Sequence, residues 1–316
     1  MSSGQERALR HRIHSIESTE KLTRAMDLIS ASQITRAQGR IQASRPYVDG
    51  IEGVLAITAS DVGPPAPMIG APADPRRVLV VAIVADRGLC GAYNANVLRA
   101  CERLMRAGKA EGRAYSLITV GRRAQSFFRF HGRQIKASFV RMTERPTYAD
   151  ARRVGREVVT PFVAGEVDLV VLVSTRFRSA GVQVVEVRQL LPLAPAVPPS
   201  GEAGPAAPLP AAQGFYDFEP AAEELLTLVV PLFAEAALFG ALLEASASEH
   251  TARQRAMSAA TENADELVTT LRRLMNRIRQ DSITNEIMEV VGGAEAMRIA
   301  GRDTGSETLI ASSSEE

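Results

Sequence analysis

The residues of this sequence that could carry chemistry begin with a glycine-containing turn, Asp86-Arg87-Gly88-Leu89-Cys90-Gly91. The turn follows a predicted strand and precedes a predicted helix, which is where α/β proteins bind phosphate groups. It lacks the G-x-G-x-x-G spacing of dinucleotide-binding loops and the Lys-Ser/Thr pair of a P-loop. The sequence therefore favours a tight structural turn over a nucleotide site.

The other reactive residue types do not form a recognisable site. Cys90 has no histidine close in sequence and no C-x-x-C partner, so a buried thiol is favoured over a nucleophile. His11 and His14 are three residues apart without a third ligand, which favours surface histidines over a metal site. Glu286 and Glu289 share a helix face and are favoured as a partner contact or polar stripe over an acid–base pair. We expect no enzyme activity, no cofactor and no metal.

Composition sets the class of protein. The chain has 316 residues, of which 46% are apolar, so it can build a core for one or two domains. Its net charge of +1 argues against a general nucleic-acid binder. The two cysteines suit a reducing compartment. No stretch reaches 18 uncharged apolar residues, and the charged start lacks the apolar core of a signal peptide. We expect a soluble, cytoplasmic protein without a membrane span.

Long helices are predicted at both ends of the chain. Apolar residues recur at steps of three and four from residue 5 to about 60, and again from about 219 to 291. The phase slips by one residue between Ile29 and Ile34, which suggests a stutter in a supercoil. Pro46 and Pro231 are expected to kink these helices, and Gly292–Gly293 is expected to end the second.

The middle of the chain alternates strands and helices. Val78–Val84 is an unbroken apolar, mostly β-branched run, which indicates a strand buried on both faces. The other predicted elements are strands at 115–120, 167–174 and 182–191, and helices at 94–107, 122–130 and 147–164. This order predicts a parallel-rich α/β layer.

The expected domains follow from these elements. They are an N-terminal coiled-coil helix at 1–60, an α/β domain at 76–193, a proline-rich loop at 194–218, a C-terminal coiled-coil helix at 219–296 and a disordered tail at 297–316. Seventy helical residues span roughly 105 Å, too long for a domain of about 130 residues to bury. The terminal helices should therefore pair as an antiparallel, left-handed coiled coil.

Motifs along nearly the whole chain resemble the ATP synthase gamma chain family. The N-terminal helix carries Leu22-Thr23-Arg24-Ala25-Met26 and Arg36-Ala37-Gln38, and the turn at 86–91 resembles a hallmark loop of that family. The C-terminal helix carries Ser248-Glu249-His250, Ala259-Ala260-Thr261 and Ile283-Thr284, followed by Gly293-Ala294-Glu295-Ala296. The resemblance implies a Rossmann-like α/β domain inserted between the paired helices.

The resemblance also implies a function and partners. The chain would be the non-catalytic central stalk, or rotor, of a proton-translocating ATP synthase, carrying rotation from the membrane c-ring to the catalytic head. Its partners would be the α and β chains, the ε chain and the c-ring, with one copy per complex, peripheral to the cell membrane on the cytoplasmic side. Residues implied to contact the head or carry torque are Arg24, Met26, Arg253, Arg279, Gln280, Thr284 and Glu286. Arg24 and Met26 would face a β-chain lever, and the other five would lie on the upper shaft.

The sequence also departs from the family pattern. Asp27 stands where many members carry a basic or apolar residue, and Ala92 replaces a common second glycine. The proline-rich loop and the tail after Ala296 are additions. An alternative function is a coiled-coil regulatory or adaptor paralogue with the same fold and no rotary role. A nucleotide-binding α/β enzyme is the third hypothesis.

Overall fold

The computed structural model describes residues 2–62, 74–193, 219 and 221–311. The predicted proline-rich loop at 194–218 lies outside them, as do residues 63–73 of the region before the first strand. In chain order the elements are α1 Ser2–Val62, β1 Arg77–Ile83, α2 Tyr93–Ala110, β2 Ala114–Val120, α3 Arg122–Phe130, β3 Ile135–Phe139, α4 Tyr148–Val163, β4 Leu169–Phe177, β5 Gln183–Leu191 and α5 Ala222–Ala311.

The five strands form one sheet in the order β3-β2-β1-β4-β5. The pairs β1–β2, β1–β4 and β2–β3 are parallel, and β5 pairs with β4 in the antiparallel direction. The predicted parallel-rich α/β layer is therefore confirmed. The sequence analysis missed β3, a five-residue edge strand whose side chains are half-buried or exposed and which lacks an unbroken apolar run.

The apolar run of β1 is explained by its central place in the sheet. Leu79, Val81 and Ile83 contribute to the core on one face, whereas Val78 and Val80 contribute to the core on the other. Successive side chains of a strand point to opposite faces, so a strand covered on both sides needs apolar residues at every position.

Different helices cover the two faces. On one face α2 and α3 pack through residues such as Val97 and Phe128. On the other face α4 packs through Val154 and the first part of α5 packs through Val230 and Leu238. The capping box of Thr147 and Asp150 fixes the start of α4, because each side chain accepts a hydrogen bond from the other residue's backbone N–H.

The chain divides into two compact units. One consists of Met1–Ala25 with Ser258–Glu316, and the other of Met26–Met257. We call them the helical unit and the sheet unit. The sheet unit contains the whole sheet together with parts of α1 and α5, so its boundaries differ from the predicted α/β domain at 76–193.

Helix α5 differs from its prediction at the C-terminal end. It continues through Gly292 and Gly293 to Ala311, so the predicted stop at the glycine pair is wrong. The predicted disordered tail is likewise helical over 298–311, and residues 312–316 lie outside the described part of the chain. A helical glycine costs only about 1 kcal/mol relative to alanine, and no proline follows to end the helix. An ion pair of 2.8 Å joins Arg298 to Glu295 in the segment beyond the glycines.

Within the described residues, α5 is long and apolar enough to cross a membrane, with a mean hydropathy of 2.1 in its most apolar window. Of that window, 44% is buried inside the fold. Leu226, Val230 and Leu238 from this region belong to the core under the sheet. We therefore attribute its apolar character to its place as a core helix.

Candidate functional site

In the helical unit, α1 and α5 run antiparallel. A hydrogen bond of 2.8 Å joins the hydroxyl groups of Thr23 and Thr261, both on the inner side of the pair. Ion pairs flank it: Arg24 lies 3.5 Å from Asp265, and Arg272 lies 2.6 Å from Glu17. Residue numbers rise along α1 as they fall along α5, which confirms the predicted antiparallel pairing. Ile13 and Val268 are buried within this unit.

The same contacts show that α5 extends beyond the start of α1. The three pairs join residues whose numbers add to between 284 and 289, so the first residue of α1 lies opposite about residue 285. Ile283, Ile287 and Val290, at this end of α5, are exposed by 49%, 57% and 72%. Their spacing of four and three places them on one face of the helix. The helical unit therefore presents an apolar helix face that α1 does not cover.

Four of the predicted contact residues lie at this end of α5. Arg279, Gln280, Thr284 and Glu286 are all exposed. The Thr284 hydroxyl donates a 2.9 Å hydrogen bond to the Gln280 carbonyl oxygen. Within the described residues, the side chains of the other three make no hydrogen bond or ion pair with the rest of the chain. These four residues therefore form one exposed polar group.

The other three predicted contact residues lie elsewhere. Arg24 belongs to the helical unit and is engaged by Glu20 at 2.7 Å as well as by Asp265. Met26 belongs to the sheet unit and is half-buried. Arg253 also belongs to the sheet unit and is buried. The seven residues are thus spread along the helices.

Arg253 forms a buried ion pair. Its Nη2 atom donates to Glu249 Oε1 at 2.6 Å, and their side chains are exposed by 8% and 3%. The same nitrogen lies 3.4 Å from the carbonyl oxygen of Gly88 in the turn. The resemblance implies that Arg253 lies on the upper shaft; in this structure its side chain is enclosed beside the turn at 86–91. The sequence analysis gave Glu249 no role, although its spacing of four from Arg253 on one helix is the signal for such a pair.

The carboxyl group of Glu249 is perturbed by this environment. Burial raises its pKa, and the Arg253 guanidinium opposes the rise. Glu249 Oε2 is buried and has no hydrogen-bond partner among the described residues. The pair therefore depends on a single strong hydrogen bond inside the protein.

Polar side chains hold the turn in place. Asp86 accepts hydrogen bonds from the backbone N–H groups of Arg122, Arg141 and Thr143 at 3.0, 2.9 and 3.3 Å. Asn94 accepts from the Ala85 N–H at 2.9 Å and donates to the Arg87 carbonyl oxygen at 3.3 Å. With Arg253 on Gly88, the turn is tied to four other parts of the sheet unit: α2, the start of α3, the segment after β3, and α5.

The turn displays two side chains outward. Leu89 has a φ of 61°, an uncommon conformation for leucine, and is 61% exposed. The Arg87 side chain is also exposed, and its guanidinium lies 3.6 Å from Glu144.

Both thiols are buried. Burial raises the pKa of Cys90, and it raises the pKa of Cys101 to about 12. Thiolates are the reactive form, so at neutral pH neither group is prepared for nucleophilic attack. In the described ranges, no three His, Cys, Asp or Glu side chains converge where they could hold a metal ion.

Comparisons with known proteins cover almost the whole chain. A protein-family model described as ATP synthase matches residues 5–297. The ATP synthase gamma chain of Parafrankia sp. (strain EAN1pec) is 42% identical over 302 residues, covering 93% of this chain and 98% of the relative. That of Saccharopolyspora erythraea is 41% identical over 313 residues, covering 95% and 99%.

Solved structures show the same architecture. The central stalk/c-ring structure of the Tetrahymena thermophila mitochondrial ATP synthase contains a chain that is 25% identical, with a TM-score of 0.58, covering 76% of this chain and 99% of that one. A rotor chain of the Euglena gracilis mitochondrial ATP synthase has a TM-score of 0.63 at 16% identity and covers 89% and 99%, which shows the shared fold. The family match at 5–297 and the relatives above 40% identity show that this chain belongs to the ATP synthase gamma chain family.

Proposed function

We propose that this chain works as a non-catalytic drive shaft whose α5 end turns inside the catalytic head of an ATP synthase. It is the central stalk subunit of that complex, carrying rotation between the membrane c-ring and the head. The shaft itself makes no ATP in this proposal. Its two cysteines are buried with raised pKa values, and its turn is committed to internal hydrogen bonds, so its chemistry is mechanical.

The uncovered apolar face of α5 carries the proposal. Burying one Ile or Val side chain fully is worth roughly 1.5–3 kcal/mol, so leaving Ile283, Ile287 and Val290 in water is costly. A close-fitting sleeve of other chains removes that cost while still permitting the helix to rotate. The α and β chains are proposed to form this sleeve.

The exposed polar group on the same end is proposed to engage the β chains. Arg279 and Gln280 can donate several hydrogen bonds, and Thr284 and Glu286 add acceptors. Charge-assisted hydrogen bonds contribute about 1.5–3 kcal/mol, enough to transmit torque without permanent attachment. Arg24 and Met26 are proposed to meet a β-chain lever lower on the shaft.

Arg253 is proposed to act indirectly. Its guanidinium is buried, so we assign it to holding the turn at Gly88 rather than to direct contact with the head. The sheet unit is proposed to bind the ε chain and to rest on the c-ring, which places the chain at the cytoplasmic side of the cell membrane. One copy per complex is proposed, because the shaft must present a different surface on each of its sides.

The proposal is tested by the double variant Arg279→Ala/Gln280→Ala in a strain whose own gamma chain is deleted. Both residues are exposed, so the chain should fold and co-purify with α, β and ε chains, whereas proton-driven ATP synthesis in membrane vesicles should fall by about ten-fold or more. The matched control is Arg152→Ala/Arg156→Ala on α4, which removes two exposed charges elsewhere and should leave synthesis unchanged.

Two results would contradict this function. Normal synthesis by the α5 double variant would show that these residues are not the torque contact. Failure of the unaltered chain to co-purify with α and β chains would leave the adaptor function as the correct one.

A further inference from the structure

The outer surface of α2 and α3 carries a concentration of positive charge that the rotor function does not use. Residues 93–133 contain nine Arg or Lys residues and two acidic residues, Glu102 and Glu111. Their net charge is +7, and subtracting this from the +1 of the whole chain leaves −6 for all other residues. The charge of the protein is therefore strongly polarised toward one layer.

Neither glutamate neutralises the other cations of this layer. Glu102 is paired with Arg133 at 2.8 Å, and Glu111 is paired with Arg113 at 2.7 Å. Seven cations remain, all of them exposed and without an ion pair among the described residues: Arg99, Arg103, Arg106, Lys109, Arg122, Arg123 and Arg129. We call this set the basic surface.

The basic surface is continuous. Helices α2 and α3 pack on the same face of the sheet, through Val97 and Met105 from α2 and Phe128 from α3. Arg99, Arg103 and Arg106 follow one another at steps of four and three, which makes a single outward stripe on α2. The remaining cations flank it near the end of α2 and on α3.

One large aromatic residue stands at its edge. Phe130 ends α3 and is 88% exposed, and its ring meets that of His131 edge-on with 5.5 Å between the ring centroids. Exposing a phenyl ring in water is unfavourable, and aromatic rings are favoured at the headgroup level of membranes. Basic side chains with an adjacent exposed aromatic are the combination that binds anionic lipid surfaces.

We propose that the basic surface binds the anionic phospholipid headgroups of the membrane. A protein partner fits it less well, because the centres of protein interfaces are depleted of charge and rich in apolar residues. Here the centre is a row of arginines on α2, with the exposed Phe130 at its edge. Arginine also matches phosphate oxygens with two parallel hydrogen bonds. The attraction would hold the sheet unit close to the bilayer through electrostatics and would weaken with added salt.

The test is sedimentation of the assembled head-and-stalk complex with vesicles. One vesicle type is phosphatidylcholine alone, and the other is phosphatidylcholine mixed with phosphatidylglycerol. We expect binding only to the second type, lost on adding salt. Each cation near an anionic surface changes binding by about five-fold, so Arg103→Gln/Arg106→Gln should lower it roughly 25-fold. Both arginines are exposed, and neither side chain makes a hydrogen bond or ion pair with another described residue, so the fold should be unchanged.

Two controls keep the result specific. Arg152→Gln/Arg156→Gln removes the same charge from α4, which packs on the opposite face of the sheet, and should bind like the unaltered complex. Phe130→Ser removes an apolar ring and no charge, so it should weaken vesicle binding by a factor that does not depend on salt concentration. Equal binding to both vesicle types, no binding to the anionic type, or equal losses from the α2 and α4 variants would each overturn the proposal. Binding to an acidic protein in place of vesicles would also reject it.

Discussion

The buried pair of Glu249 and Arg253 makes the sharpest prediction about stability. In Arg253→Met, a side chain of similar length remains, but the Glu249 carboxylate loses the 2.6 Å hydrogen bond that Arg253 donates. Removing one partner of a buried ion pair typically costs 3–5 kcal/mol, because a buried charge is left uncompensated. The side chains are almost fully enclosed, so solvent screening reduces this value little. We expect a loss of about 3–5 kcal/mol in the free energy of unfolding at neutral pH.

The pH dependence identifies the cause. The pKa of Glu249 is already raised by burial, and losing Arg253 raises it further. The folded state then holds a proton that the unfolded state releases above the ordinary glutamate pKa, so stability falls as pH rises through that window. The penalty of Arg253→Met should therefore be largest near neutral pH and should shrink as the pH falls toward the ordinary glutamate value.

Urea unfolding of the purified chain, followed by circular dichroism at several pH values, measures both quantities. The matched control is Arg255→Met, an exposed position two residues along the same helix. The double variant Glu249→Met/Arg253→Met should recover most of the lost stability, because an apolar pair leaves no buried charge. A penalty below about 0.5 kcal/mol, the usual size of a surface effect, or one that does not change with pH, would refute the reasoning.

Three further results are expected. Gly121 has a φ of 99°, and an added Cβ would lie 2.1 Å from the Val84 carbonyl oxygen, so Gly121→Ala should cost about 1–3 kcal/mol more in urea unfolding than Gly112→Ala, where nothing lies within 4 Å. Cys101 is buried with a pKa of about 12, so mass spectrometry should find it unmodified by iodoacetamide at neutral pH in the folded chain and alkylated after denaturation. Deleting everything after Met297 removes only residues beyond the family match at 5–297, so ATP synthesis in vesicles should stay near normal. Deleting from Ile283 onward removes the uncovered face of α5 and should abolish synthesis. A large loss from the shorter deletion would show that the helix after Met297 takes part in the function.

The elements that could be predicted from the sequence are those with strong periodic signals. The unbroken apolar run of β1 and the long stripes of α1 and α5 appear where they were predicted. Strand β3 was missed because an edge strand of five half-buried residues has little apolar content to mark it. The helix stop at Gly292–Gly293 was wrong because a glycine pair is only a weak local preference, and the helix continues without a proline to end it.

The candidate site was predicted in part. The exposed end of α5 could be located because its residues lie on one continuous helix. The position of Arg253 could not, because its contact with Gly88 joins residues 165 positions apart. Only the folding of the sheet unit brings them together. A charged residue that contacts a partner and one that is buried within the chain can occur at the same spacing along a helix. The sequence alone therefore does not distinguish them.

The uncovered face of α5 also affects how the complex is made. A growing chain folds from its N-terminal side, so α1 and the sheet exist before the last part of α5 is synthesised. The apolar residues near Ile287 therefore reach water last, when the rest of the chain is already in place. Under the proposed function, the subunit is prone to aggregation from that moment until the catalytic head encloses this face. Because α5 extends beyond α1, the proposed function requires that this subunit and the chains of the head be produced in balanced amounts.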